Sequence, residues 1–155
     1  MKRIIAAVIS LAALNAGAHE YSKLIKNYKY AEVEKAVNAK LAADPKNLDA
    51  LLGKIQVILN QGQEKRLDEA QKLAESCVAA HPQASECHEL AGNVQGIKIV
   101  NGGMFAAMSG AGKVRDSFLK AVELDPKNYS ARMSLLSFYL QAPGIAGGGK
   151  DKAQA

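Results

Sequence analysis

The sequence predicts an all-α chain: an α-α solenoid, a right-handed superhelical stack of antiparallel helix pairs. Three observations carry that prediction. Amphipathic stretches at residues 30–47, 67–82 and 113–128 each close on a proline twelve residues after a small or branched residue: Val33 and Pro45, Ala70 and Pro82, Val114 and Pro126. Two of them close on the same four letters, Asp44-Pro45-Lys46-Asn47 and Asp125-Pro126-Lys127-Asn128. No alternating apolar–polar run of useful length marks a strand. A unit that recurs in this way cannot bury its apolar face alone, so it stacks on its neighbours.

Taken in order, the first element is not part of the fold. Lys2 and Arg3 make a basic start, residues 4–14 are apolar except for Ser10, and Asn15-Ala16-Gly17-Ala18 ends in an Ala-x-Ala pattern. That reads as a secretory signal peptide over residues 1–18, cleaved before His19 and too short for a retained span. Its Ala-rich character points to a bacterial periplasm first and full secretion second. No cysteine follows the apolar run, so a lipid anchor is not expected. Removing eighteen of the 155 residues leaves 137, enough for one modest core, and the net charge falls from +5 to +3. No later apolar run is long enough to cross a bilayer. So weak a charge, with no Trp in the chain, excludes a nucleic-acid footprint. Lys23, Lys26, Lys29, Lys35, Lys40, Lys54 and Lys72 sit amid Glu and Asp on predicted helices and read as solvated faces.

Each proline is followed by a second helical stretch, at residues 48–61, 85–100 and 129–141. Leu51, Leu52, Ile55, Ile58 and Leu59 form an apolar stripe in the first, ended by Gln61-Gly62-Gln63. Met133, Leu135, Leu136, Tyr139 and Leu140 do so in the third, stopped by Ala142-Pro143-Gly144. The repeat domain thus covers residues 19–141, with a Gly-rich turn and flexible tail over 142–155.

These residues resemble the tetratricopeptide repeat family, whose helix-turn-helix unit is about 34 residues. The resemblance spans about residues 28–141. Gly92 falls on the small position of the family's first helix. Ala70, Cys77 and Pro82 fall on the small, small and proline positions of its second, as do Val114, Phe118, Ala121 and Pro126 one repeat on. Pro45 to Pro82 is 37 residues and Pro82 to Pro126 is 44, which places insertions of three and ten residues. Departures are Ile55 and Leu136 at the usual small position and Lys40 in place of a small residue. Counting back from Pro45 puts the first helix of the first repeat mostly inside the signal segment. Lys150-Asp151-Lys152-Ala153 reads as the opening of a fourth second-helix. The expectation is one unpaired helix, two full pairs and a final unpaired helix. Two readings stand for the far end: an incomplete chain, or residues 129–141 packing on a partner or a second copy.

Candidate sites follow. Cys77 and Cys87 lie five residues either side of Pro82, mirror-placed about a hairpin turn; outside the cytosol this reads as a disulfide, against two buried thiols. The spacing is not that of a catalytic dithiol. His81 lies four residues after Cys77 and His88 adjoins Cys87, but neighbouring helical residues diverge by about 100° and the spacing fits no common zinc pattern. No metal or other cofactor is expected. Residues 144–150 satisfy the bare spacing of a phosphate loop, but a helix precedes them where a strand is required and Asp151 replaces the magnesium-binding hydroxyl. The insertion at 101–112 has glycines at both ends and reads as a mobile loop. Its Met104, Phe105 and Met108 line either a docking surface or a flap over the repeat's own helix ends.

The resemblance also implies an inner wall made by the first helices of each pair: Asp49, Leu52, Gln56 and Leu59, then Glu86, Glu89 and Asn93, then Ser130, Met133 and Ser137. This wall is mixed apolar and acidic and lacks the Lys and Asn set with which the family clamps a peptide's terminal carboxylate. It suits a basic or apolar segment, or else is an ordinary polar surface. The three histidines have no nucleophile and base partners in view, so no catalytic constellation is expected. The sequence therefore predicts a non-enzymatic adaptor for a protein or peptide partner. Nucleic-acid binding and membrane insertion after cleavage are not expected, while self-association through the C-terminal helix is allowed. The competing reading is a small redox- or metal-responsive protein centred on Cys77 and Cys87.

Overall fold

A computed structural model describes residues 17–153. Among them the helices are α1 (Gly17–Lys26), α2 (Tyr30–Ala43), α3 (Leu48–Asn60), α4 (Leu67–Ala80), α5 (Ser85–Asn101), α6 (Gly103–Leu124), α7 (Tyr129–Gln141) and α8 (Lys150–Ala153), with 3-10 turns at Glu64–Arg66 and Gly144–Ala146. Each helix packs on the next in chain order, and α1 on α3, α3 on α5 and α5 on α7. That pattern of next and next-but-one contacts defines a stack of helix hairpins.

The repeated four letters are a helix-to-helix device. Proline cannot continue the helix it follows. Asp44 Oδ1 accepts from the Lys46 amide at 3.0 Å, and Asn47 Oδ1 caps α3 by accepting from the Ala50 amide at 3.1 Å. The second copy repeats this: Lys127 N to Asp125 Oδ1 at 2.9 Å and Ala131 N to Asn128 Oδ1 at 3.0 Å. Such caps are each worth about 1 kcal/mol. The middle junction differs, because Ala84 starts α5 without a side-chain cap. There the chain is held by the predicted disulfide: Cys77 and Cys87 are bonded, 5.4 Å apart at Cα, and both are buried.

Two core clusters run through the first part of the stack. Tyr21, Ile25, Val33, Val37, Ala50 and Val57 join α1, α2 and α3. Ile55, Ala70, Ala74, Cys77, Leu90 and Val94 are among those that join α3, α4 and α5. The first cluster corrects the expected unpaired end: α2 pairs with α1, a short helix of ten residues. The proposed signal segment lies outside the described residues, apart from Gly17 and Ala18, which open α1. Tyr21 is 2 % exposed and its hydroxyl has no hydrogen-bond partner among the described residues. An unpaired buried hydroxyl costs more than it contributes. Tyr21→Phe is therefore expected to raise the denaturation midpoint slightly or leave it unchanged; a loss above about 1 kcal/mol would contradict this.

The ten-residue insertion is not a loop. It lengthens one hairpin, giving α5 17 residues and α6 22, and the reversal is made at Gly103, whose φ of +77° favours glycine. Sequence reading missed this because glycines at 102, 103, 110 and 112 suggest breaks. Packing of α6 on α5 overrides the weak propensity cost of each glycine.

The irregular small position also has a physical account. Ile55 and Ala74 occupy the same places in one hairpin that Gly92 and Phe118 occupy in the next, counted from Pro45, Pro82 and Pro126. Large-plus-small has become small-plus-large. The Phe118 ring lies directly over Gly92, where an added Cβ would come within 2.5 Å of it. Summed volume is kept while the partners exchange roles, which cores tolerate.

An ion cluster clamps the first junction. Arg66 donates to Glu34 at 2.6 Å and Glu69 at 2.8 Å, and Lys54 reaches Glu69 at 3.0 Å, tying α2, α3 and α4. The Arg66 hydrogen bond, aided by Lys54, lowers the Glu69 carboxyl from 4.5 to about 2, and the two carboxylates raise Arg66. A lowered acid contributes stability that is fully present above pH 4.5 and is lost as pH falls toward 2. The Glu69 side chain is 38 % exposed, so after screening the contribution is about 1 kcal/mol or less. Glu69→Gln should flatten that acid limb of the unfolding curve; an unchanged limb would show that Glu69 does not carry it.

Candidate partner-binding surface

The face of α5 toward α7 is a polar seam. Asn128 donates to Ser85 Oγ at 2.9 Å and to Glu89 Oε2 at 3.1 Å; Ser130 donates to Glu89 Oε1 at 2.5 Å. Ser134 donates to Asn93 Oδ1 at 3.2 Å, and Ser85 to the Ala121 carbonyl at 2.7 Å. Glu89, 7 % exposed, is thereby satisfied by neutral donors rather than by a cation. Beyond the seam α7 stands off the α5–α6 hairpin, leaving a cleft of about 650 Å³ bordered by Ile97, Val100, Ala111, Val114, Met133 and Phe138. The hairpin end beside it is apolar and bare: Phe105 is 86 % and Met104 75 % exposed, with Val100 and Met108 also exposed. No charged residue occurs from 99 to 112.

No family model and no curated protein matches this sequence. Solved structures do match. The NMR structure of the first TPR domain of the human RPAP3 protein aligns with a TM-score of 0.61 at 18 % identity, over 84 % of this chain and 92 % of that one. The first TPR of Spaghetti (RPAP3), bound to the HSP90 peptide SRMEEVD, aligns with a TM-score of 0.57 at 18 % identity, over 79 % and 86 %. The fold is that of a tetratricopeptide repeat domain.

Within that tetratricopeptide fold the expected inner wall needs correction. Leu52 is 3 % exposed and belongs to the core between α3 and α5, so it is no surface anchor. Glu89 is held inside the α5–α7 seam, so it does not present a charge to a partner. Asn93 and Ser130 serve the same seam while also bordering the cleft, as do Met133 and Ser137. Asp49, Gln56, Leu59 and Glu86 are half-buried on α3 and α5, away from that cleft, and Leu59 packs against the core. Leu52 and Glu89 are thus withdrawn from the wall, Glu89 because α7 leans on α5 through polar side chains.

Met104, Phe105 and Met108 are exposed as part of the first turns of α6, not of a loop. His81 Nε2 donates to the Lys46 carbonyl at 2.5 Å and His88 Nε2 to the Pro82 carbonyl at 2.9 Å, so both rings brace the middle junction. Among the described residues no group of three or more His, Cys, Asp or Glu is placed to hold a metal ion, and there is no free cysteine. The phosphate-loop lookalike donates its amides internally: Gly147 to Gly144 O, Gly148 to Pro143 O and Gly149 to Tyr139 O. A phosphate cradle needs those amides pointing outward. No helix among the described residues is long and apolar enough to cross a membrane.

Proposed function

We propose that this chain is a non-enzymatic interaction adaptor of the periplasm that docks a protein partner on the free end of the α5–α6 hairpin. The carrying observation is the uncharged end itself, where Val100, Met104, Phe105 and Met108 stand exposed together. Large apolar side chains gathered at one projecting point mark an interaction site more often than scattered ones do. Methionines adapt to irregular apolar partners, and a buried Phe is a strong anchor. The tetratricopeptide fold supports the reading, since one structural neighbour is bound to a peptide. That peptide is acidic, whereas the hairpin end here carries no charged residue from 99 to 112, so an apolar segment suits it better. Export is supported by Lys2, Arg3 and the Ala-x-Ala end at Ala18, and by a disulfide of a kind rare in the cytosol.

The test is proximity cross-linking in the cells that make the protein, after fractionation. Phe105→Glu with Met108→Glu is expected to remove the captured partner while the thermal midpoint stays within about 2 °C, because both side chains are exposed. An unaltered captured set would end the proposal, and a cytosolic fraction would end its periplasmic part.

A further inference from the structure

The cleft between the hairpin and α7 carries chemistry of its own. Its size, about 650 Å³, lies in the range of small-molecule sites. Among the described residues no Asp, Glu, Lys or Arg borders it, so a charged group entering it would lose water and gain no counter-ion. A helix with its side chains is about 10 Å across; 650 Å³ therefore holds only about five residues of one, less than two turns. A slender chain can lie within that space, whereas a longer helix would stand mostly outside it. The floor is apolar, from Ala111, Val114 and Phe118, while Ser137 and Gln141, one turn apart on α7, place uncharged hydrogen-bonding groups along one side.

We propose that this cleft binds the alkyl chain of an uncharged single-chain amphiphile, the chain lying over Ala111, Val114 and Phe118 and the head against Ser137 and Gln141. The site lies between two repeats and adjoins the free hairpin end, sharing Val100 with it; Met104, Phe105 and Met108 do not line it, and through them the two sites are told apart.

The experiment uses the purified chain and monoacylglycerols of ten, twelve and fourteen carbons, below their micelle-forming concentrations, with calorimetry or displacement of the neutral fluorophore N-phenyl-1-naphthylamine. Each two-carbon step is expected to tighten binding on the order of tenfold. The fatty acid of equal chain length should bind at least tenfold more weakly as its carboxylate. Gly96→Leu is the blocking variant: an added Cβ there meets only Val114 Cγ1, at 3.8 Å, so the new side chain enters the cleft without a clash at its root. It should fold with an equal or higher midpoint and lose at least tenfold in affinity, whereas Gly96→Ala should keep it. Phe105→Glu should bind the amphiphile as the parent does, which separates this site from the hairpin end.

Absence of saturable binding, indifference to chain length, equal affinity for the carboxylate, or full binding by a folded Gly96→Leu would each overturn the proposal. So would a dimer that Gly96→Leu dissociates, because a second copy would then be the occupant. Should Gly96→Leu fail to fold, the chain-length series and the carboxylate comparison still decide.

Discussion

Gly92→Ile is expected to destabilise the protein by about 3 kcal/mol, and Phe118→Ala in the same chain to restore most of that loss. The Phe118 ring sits where the new Cβ would stand, 2.5 Å from its edge, and Phe118 is itself buried in the α5–α6 hairpin. Making room means pushing the ring out of its buried place toward the cleft it borders, or moving a helix. Phe118→Ala alone should cost about 3 to 5 kcal/mol, because it leaves a cavity beneath an α5 that offers no side chain to fill it. Together the two substitutions recreate the Ile55 and Ala74 arrangement of the preceding hairpin. Denaturant unfolding of the four proteins gives the coupling directly, and at least 2 kcal/mol of favourable interaction is expected. Additive losses would show that the two hairpins do not exchange large and small residues in this way.

That pair shows where sequence reading of this fold succeeds and where it stops. The helix boundaries at Pro45 and Pro126 were legible because their chemistry is local: a blocked helix, an Asp turn and an Asn cap within four letters. The Cys77–Cys87 pairing was legible because the two cysteines are mirror-placed about one turn in a chain read as exported, which favoured a disulfide over two buried thiols. The all-α stack itself followed from the same recurrence. The hairpin extension was not legible, since nothing local distinguishes a glycine that ends a helix from one lying within α6 against a neighbour. Nor was the ion cluster, in which Arg66 pairs with Glu34 and Lys54 with Glu69 across separate helices.

The candidate surface was legible in its residues more than in its geometry. Met104, Phe105 and Met108 stood out by chemistry, and they are exposed. The wall positions rested on a regular pitch. Here α7 is tied to α5 through Ser85, Glu89, Asn128 and Ser130, which draws Glu89 inward, while Leu52 fills the gap between α3 and α5. The cleft had no signal at all in the sequence. It is space left between helices that touch only in part, bordered by residues from α5, α6, α7 and the 3-10 turn that follows.

Loss of the disulfide is the second large effect. Cys77→Ala with Cys87→Ala is expected to cost about 3 kcal/mol, the chain-entropy value for a loop this short, closed across a sequence separation of 10. Both sulfurs are buried, so reductant acts only when the α4–α5 junction opens. Under native conditions the bond should therefore outlast that of an exposed model disulfide, and it should yield rapidly in mild denaturant. Besides the bond, the His81 and His88 rings brace the junction, but Ala84 starts α5 with no side-chain cap, where Asn47 and Asn128 cap α3 and α7. Its backbone, φ −85° and ψ 111°, is close to that of Asn47 at −60° and 114°. Ala84→Asn can therefore adopt a similar cap, its side-chain oxygen sharing the Cys87 amide that now donates to the residue 84 carbonyl at 3.1 Å, where Asn47 takes the Ala50 amide. In the cysteine-free protein that substitution should return about 1 kcal/mol. With the bond intact, where the junction is already held, it should return less. A cysteine-free variant as stable as its parent would show that the pair contributes no constraint, and an equal gain from Ala84→Asn in both backgrounds would show that cap and disulfide act independently.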